Sequence, residues 1–248
     1  MQRYFVPSKQ WSDNQVSITG KDVHHMKRVM RMQISDYIII CNQETGETGK
    51  YQIEQISEDE VLATRVEKIE EQTEVPVRVT IAQALPKGDK LDLILQKGTE
   101  LGASEFLVFE SKRSVVKWDQ KKAVKKKERL DKIVKEASEQ SHRTVIPAIS
   151  ITTWNDIISS ATNYDTCLFA YEEEVRIEHQ PLLKNKIEQM AVGQKVILLI
   201  GPEGGINQEE ALQLRENGFT SIRLGPRILR TETAALYFLA ALSYHFEE

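Results

Sequence analysis

The segment Lys195-Val-Ile-Leu-Leu-Ile200 constrains this chain more than any other. Its unbroken apolar run leaves no polar face, so a strand built from it must be covered on both sides. Such strands belong to parallel sheets with helices on each face, and the surrounding sequence alternates in kind. Val77–Ala84, Glu105–Phe109, Thr166–Ala170 and Ser221–Leu224 read as strands. Lys90–Leu101, Gln120–Ser141, Pro181–Met190, Gln208–Asn217 and Thr231–Phe246 read as helices between or after them. The expected class is α/β with a mostly parallel sheet.

The strand ending at Ile200 runs into Gly201-Pro-Glu-Gly-Gly205, and Asn207 suits the N-terminal cap of the next helix. Ligands of open α/β sheets collect at the carboxyl ends of strands, and glycine lets backbone approach them closely. Taken alone, a tight turn with no ligand explains such a loop better. A second loop, Leu224-Gly-Pro-Arg-Ile-Leu-Arg230, enters the last helix, with Thr231 as its expected cap. If the two strands are neighbours, the loops share one crevice, with Arg227 and Arg230 as its cations. Neither loop has the Gly-x-Gly-x-x-Gly or P-loop spacing, and Lys97-Gly98-Thr99 has the wrong order within a helix. ATPase and nicotinamide-dehydrogenase chemistry lose ground accordingly. His24, His25, His142, His179 and His245 have no cysteine at ligand spacing, and no Gly-x-Ser-x-Gly elbow is present. No metal is expected.

The first 70 or so residues read as β. Asp36–Cys41, the alternating Lys50–Ile56 and Val61–Val66 are short strands separated by turn residues, as in a small barrel. A helix over Lys21–Met32 precedes them, with Asp22 as its cap and Val23, Met26, Val29 and Met30 on one face. The acidic stretch Lys68–Pro76 marks the domain boundary.

The formal net charge of −4 excludes a uniformly basic nucleic-acid binder. Between Ser111 and Arg143, however, twelve basic residues face five acidic ones, a local +7 that leaves −11 elsewhere. Taken alone, a solvated helix face explains this run as well as a polyanion-binding surface does. Cys41 and Cys167 form no evident disulfide framework, and the start lacks a secretory apolar core, so a cytoplasmic protein without a membrane span is expected.

Several segments carry a resemblance. They are Arg28–Arg31, Leu85-Pro-Lys-Gly-Asp-Lys90 with Gln96–Gly102, Arg113-Ser-Val-Val116, Glu136–Arg143, Ile200–Gly205 and Leu224-Gly-Pro-Arg-Ile-Leu-Arg-Thr-Glu-Thr-Ala234. Together they resemble the bacterial 16S ribosomal RNA uridine-N3 methyltransferases (the RsmE type) of the SPOUT superfamily. The resemblance implies a PUA-like β-barrel over residues 1–72 and a SPOUT trefoil-knot methyltransferase domain over residues 73–248. It implies a homodimer that uses S-adenosyl-L-methionine on the RNA of the small ribosomal subunit. Leu199, Ile200, Gly201, Gly204, Gly205, Leu224, Gly225, Ile228, Leu229 and Arg230 would hold the cofactor. Catalysis by such an enzyme is mainly positioning, together with removal of the N3 proton. Glu139 and Glu232 are the candidate bases; Arg143 and Arg230 are the candidate cations for the developing anion. Arg3, Arg28, Arg31, Lys112, Arg113, Lys117, Gln140 and Arg143 are the expected RNA contacts. One departure stands out: the family pattern has glycine before the arginine that is Arg143, and this chain has His142. The competing readings are a non-catalytic RNA-binding or ribosome-assembly protein, a SPOUT enzyme acting on another RNA or on a ribose hydroxyl, and a small-molecule enzyme.

Overall fold

The computed structural model describes residues 1–172 and 182–248. Its chain divides into two units, Met1–Glu74 with Ser138–Ile146, and Val75–Ala137 with Pro147–Glu248.

The first unit is a six-stranded mixed sheet. Its strands are β1 (Arg3–Val6), β2 (Trp11–Ser12), β3 (Gln15–Thr19), β4 (Tyr37–Asn42), β5 (Thr48–Ile56) and β6 (Glu60–Ile69), in the order β1-β4-β5-β6-β3-β2. Only the β1–β4 pairing is parallel. Alternation sets the faces: Tyr51 and Ile53 point inward while Glu54 is exposed. Register shifts at Lys50/Tyr51 and Ile53/Gln55 bend the long β5–β6 ribbon. Tyr4 and Val6 of the first edge share one core with Val16, Ile18, Ile38, Ile40, Val61 and Ala63, and Trp11 of the other edge packs on it. The Trp11 indole also donates to the Val6 carbonyl at 3.1 Å. A sheet whose two edges meet one core is curled, and this one forms a half-barrel.

The helix expected over Lys21–Met32 is α1 (Lys21–His24) followed by a π turn, His25–Val29. Gly20, with φ of +76°, occupies the cap position, and no Asp22 side chain caps the helix. Val23 and Met26 are buried as expected, but Val29 and Met30 are 61% and 36% exposed. The wider π turn, closed by Met30 N–H to the His25 carbonyl, rotates them off the buried face.

Ser138–Ile146 joins this unit through buried charge. Arg143 is 3% exposed and its guanidinium grips the Glu74 carboxylate. The same carboxylate accepts the Thr144 and Val145 N–H groups at 2.9 and 3.2 Å. Arg3, also 3% exposed, donates to the Arg143 carbonyl at 2.9 Å and pairs with Glu71 at 2.6 Å. The acidic stretch before Pro76 thus supplies half-buried carboxylates to two buried arginines.

The second unit is a six-stranded, all-parallel sheet: β7 (Arg78–Ala84), β8 (Glu105–Phe109), β9 (Ala148–Thr152), β10 (Thr166–Ala170), β11 (Lys195–Ile200) and β12 (Thr220–Ile222). The order is β12-β10-β11-β7-β8-β9. Its helices are α2 (Lys90–Glu100), α3 (Gln120–Gln140), whose last turn belongs to the first unit, α4 (Trp154–Ser160), α5 (Leu183–Ile187), α6 (Gln208–Glu216) and α7 (Thr231–Glu247). The neighbours β7 and β11 are buried on both faces, as the apolar run requires. Ile157 of α4 and Ala211 and Leu214 of α6 cover one face. Across the sheet α2 packs on α7, and Gly98 of α2 lies against Phe106 and Leu239. A β-carbon at Gly98 would stand 2.9 Å from the Phe106 ring, so this glycine serves helix–sheet packing. Each fully buried leucine or phenylalanine contributes about 1.5–3 kcal/mol.

Two expectations fail here. The strands carrying the glycine loops are not neighbours, because β10 lies between β11 and β12. Thr231 is not the cap of α7: Arg230 holds that position without a side-chain cap bond, and the threonine hydroxyl is used elsewhere. Asn207 does cap α6, in a reciprocal capping box with Glu210. Pro181, the expected start of a helix, and His179 lie outside the described residues.

Candidate active site

The carboxyl ends of β10, β11 and β12 enclose a cavity of about 340 Å³. Its walls are Tyr171 and Glu172 after β10, Ile200–Glu203 with Gly205 and Ile206 after β11, and Leu224 and Arg227–Thr231 before α7. Both glycine loops therefore meet in one crevice despite the intervening strand. β10 adds Tyr171 and Glu172 to it, which sequence reasoning missed. Two glycines are required by contact or conformation. A β-carbon on Gly201 would sit 2.8 Å from the Gly205 carbonyl carbon. Gly205 has φ of +67°, and the Glu172 carboxylate lies 3.2 Å from where its β-carbon would be.

Beneath the cavity a buried network fixes the loop. The Gln83 amide, fully buried at the end of β7, donates to the Thr231 hydroxyl at 2.8 Å and the Ala84 carbonyl at 2.9 Å. The Thr231 hydroxyl donates in turn to the Gly201 carbonyl at 2.7 Å. These bonds leave one arrangement of the hydroxyl proton, and they tie β7, the Gly201 loop and the start of α7 together. Above them Lys90 bridges two carboxylates, Glu203 at 2.8 Å and Glu232 at 3.5 Å. Glu203 also accepts the Lys87 N–H at 3.0 Å. The hydrogen bond to Glu203 holds the Lys90 ammonium above its ordinary pKa. Desolvation works against the Glu203 charge, but the bonds from Lys90 and backbone N–H groups outweigh it and lower its pKa.

The expected cofactor residues divide. Ile200, Gly201, Gly205, Leu224, Ile228, Leu229 and Arg230 line the cavity. Leu199 is fully buried within β11, Gly204 faces Arg113, and neither it nor Gly225 lines the cavity. The expected catalytic groups divide as well. Arg230 lines the cavity, as does the crevice cation Arg227, and neither has an ion pair among the described residues. Glu232 stands behind Lys90, and its buried Oε2 makes no hydrogen bond. Glu139 belongs to the first unit. Arg143, expected both as an oxyanion cation and as an RNA contact, is buried and held by Glu74, and Arg3 is buried against Glu71. Both guanidiniums are engaged by carboxylates of the first unit.

The comparisons with known proteins decide what this architecture belongs to. The RNA methyltransferase domain profile matches residues 73–243, and the RNA methyltransferase PUA domain profile matches residues 18–64. The ribosomal RNA small subunit methyltransferase E of Bacillus subtilis is 43% identical, over 100% of this chain and 98% of its own. The chain belongs to the ribosomal RNA small subunit methyltransferase E family. The namesake protein of Synechocystis is 30% identical over 97% of this chain and 77% of its own. The crystal structure of the Neisseria gonorrhoeae methyltransferase E, bound to S-adenosyl methionine, matches with a TM-score of 0.85 and 26% identity, covering 99% of this chain and 98% of that one. The half-barrel is thus the PUA domain of the family, and the parallel sheet is its methyltransferase domain.

The remaining expected RNA contacts differ in their freedom. Arg28, Arg31, Lys117 and Gln140 are exposed. Lys112 pairs with Glu209 at 2.6 Å, and Arg113 donates to the Gly204 carbonyl at 2.7 Å, bracing the glycine loop. In the basic run, Lys122, Lys127, Lys132 and Arg129 pair with Asp119, Asp131, Glu136 and Asp92. Lys117, Lys121, Lys125 and Lys126 have no such pair among the described residues. Among the described residues no His, Cys, Asp and Glu cluster could hold a metal, and no helix is long and apolar enough to cross a membrane.

Proposed function

We propose that this chain transfers a methyl group from S-adenosyl-L-methionine to N3 of a uridine in the 16S ribosomal RNA of the small subunit. The observation that carries this reading is the cavity at the ends of β10–β12, built from both glycine loops in a member of this family. Its residues fit the cofactor. Ile200, Ile206, Ile222, Leu224 and Leu229 offer apolar walls for an adenine ring, and Glu172 suits hydroxyl or ammonium groups. Arg227 or Arg230 suits a carboxylate. The cofactor supplies a methyl group already activated by its sulfonium.

The protein's work is then to orient and to move one proton. The exposed Arg230 guanidinium would stabilise negative charge developing on the uracil ring, which leaves Arg227 for the cofactor carboxylate. Glu139 and Glu232 remain the two proposed acceptors of the N3 proton, and Glu139→Gln and Glu232→Gln separate them by which abolishes turnover. Lys117 and the unpaired lysines of α3 supply phosphate contacts. Leaving β11, the chain passes over β10 to reach β12, and the start of α7 is bonded back to Gly201. This supports the trefoil knot of the SPOUT fold. Exposed Tyr237 and Tyr244 on α7 support a homodimer, and a ribosomal substrate supports a reaction in the cytoplasm. The test is transfer of label from S-adenosyl-L-methionine into isolated small subunits of cells lacking the gene, with transfer RNA as the control. Label entering the small subunit alone is expected; label in transfer RNA alone overturns the substrate assignment.

A further inference from the structure

Outside the methyltransferase cavity, the first unit has an open cleft whose lining includes Met30, Met32, Asp36, Tyr37, Gln140 and His142. Several independent features converge on it. The π turn His25–Val29 leads directly into it. Four non-glycine residues among those described have positive φ, and three surround this cleft: Arg31 at +54°, Ser35 at +78° and His142 at +59°. Non-glycine residues in that region are strained and persist where the surrounding structure holds them. Beside the cleft is an exposed apolar group, with Met1, Val29 and Ile34 each at least 60% exposed and Tyr37 44% exposed. Cations flank it: Arg28 and Arg31 are exposed, and the Lys50 ammonium lies 4.5 Å from the centre of the Tyr37 ring.

We propose that this cleft accepts one unstacked base of single-stranded RNA, with the Tyr37 ring as its stacking platform. The inference rests on the reading of the chain as an RNA methyltransferase. The chemistry selects this occupant. The thioethers of Met30 and Met32 and the Tyr37 ring offer apolar faces to a flat ring. The Gln140 amide, the Asp36 carboxylate and the His142 imidazole offer donors and acceptors to its edge, and the Gln2 amide donates to the Met30 thioether at 3.4 Å. Lys50 already occupies one approach to Tyr37, which favours an electron-rich ring carrying a neighbouring phosphate. Arg28 and Arg31 suit the flanking phosphates, whereas an apolar protein partner would leave them unmatched.

The test uses the full chain and a short single-stranded RNA carrying one 2-aminopurine, whose fluorescence falls when the base stacks on an aromatic ring. Wild type and Tyr37→Phe are expected to quench the probe alike. Tyr37→Ser is expected to abolish the quenching and weaken binding about 5- to 150-fold, the effect of one lost base–aromatic stack. Far-ultraviolet circular dichroism checks that the variant is folded. Unchanged quenching and affinity in Tyr37→Ser overturns the proposal. So does a change confined to self-association in sedimentation, which would assign the patch to a second copy. Label transfer into small subunits is measured alongside. A wild type that transfers methyl groups without quenching the probe loses the cleft and keeps the proposed function; one that neither transfers nor binds RNA loses both.

Discussion

Replacing Thr231 by valine removes one hydroxyl from the floor of the cavity and almost no volume. The Gly201 carbonyl loses its 2.7 Å donor. The Gln83 amide loses its 2.8 Å acceptor but keeps the Ala84 carbonyl at 2.9 Å. A buried polar group left unpaired costs about 1–3 kcal/mol. The full penalty for the carbonyl and a partial one for the amide give roughly 2–4 kcal/mol. In a chain of this size each kcal/mol lowers the melting temperature by about 2–4 °C, so a fall of about 5–15 °C is expected. Because Gly201 and Thr231 both line the cavity, part of the penalty falls on the cofactor-bound state. About 1.4 kcal/mol of it would weaken S-adenosyl-L-methionine roughly tenfold. Thermal unfolding and titration calorimetry of wild type, Thr231→Val and Thr231→Ser read both quantities, and serine should restore both. A valine variant that melts within a degree of wild type and binds the cofactor equally well would show that the network does not hold the loop.

Three further outcomes follow from other sites. Gly98→Ala places a β-carbon 2.9 Å from the Phe106 ring and should cost about 1–3 kcal/mol in urea unfolding; an unchanged midpoint would mean that α2 shifts freely on the sheet. His142→Gly removes a left-handed penalty of about 1–2 kcal/mol at φ of +59° and adds backbone entropy of about 0.5–1, so a gain of about 0.5–1 kcal/mol is expected by the same assay. Lys90→Met should lower the melting temperature by an amount that is constant across neutral pH. The lowered pKa of Glu203 makes the contribution fade as pH falls below the ordinary 4.5, and the raised pKa of Lys90 makes it fade above 10.5. A difference that changes between pH 6 and 8 would contradict this assignment.

What could be read from sequence was what sequence encodes locally. The apolar runs Glu105–Phe109, Thr166–Ala170 and Lys195–Ile200 are strands with the bounds their composition implies. The Asn207 cap was legible because a capping box is a short-range pattern. The same short-range pattern marks α4, where Thr153 and Asp156 form another capping box. β1 is hidden in sequence because it spans only four residues and begins with the charged Arg3, so neither an apolar run nor alternation marks it. The insertion of β10 between the loop-bearing strands is a matter of strand order, which periodicity does not carry, and it brought Tyr171 and Glu172 into the cavity. Arg3 and Arg143 look like any surface arginine in sequence; only the fold brings Glu71 and Glu74 to them. Thr231 reads as a cap by type, yet its hydroxyl is drawn to a carbonyl 30 residues earlier.

The modified nucleoside tests the proposed reaction most directly. Small subunits from cells lacking the gene, treated with the protein and S-adenosyl-L-methionine, would be digested to nucleosides and resolved by mass spectrometry against standards. 3-Methyluridine is expected with wild type and is expected to be lost with Arg230→Ala. Methyl groups found solely on a ribose hydroxyl or on carbon of the base would contradict the proposed reaction.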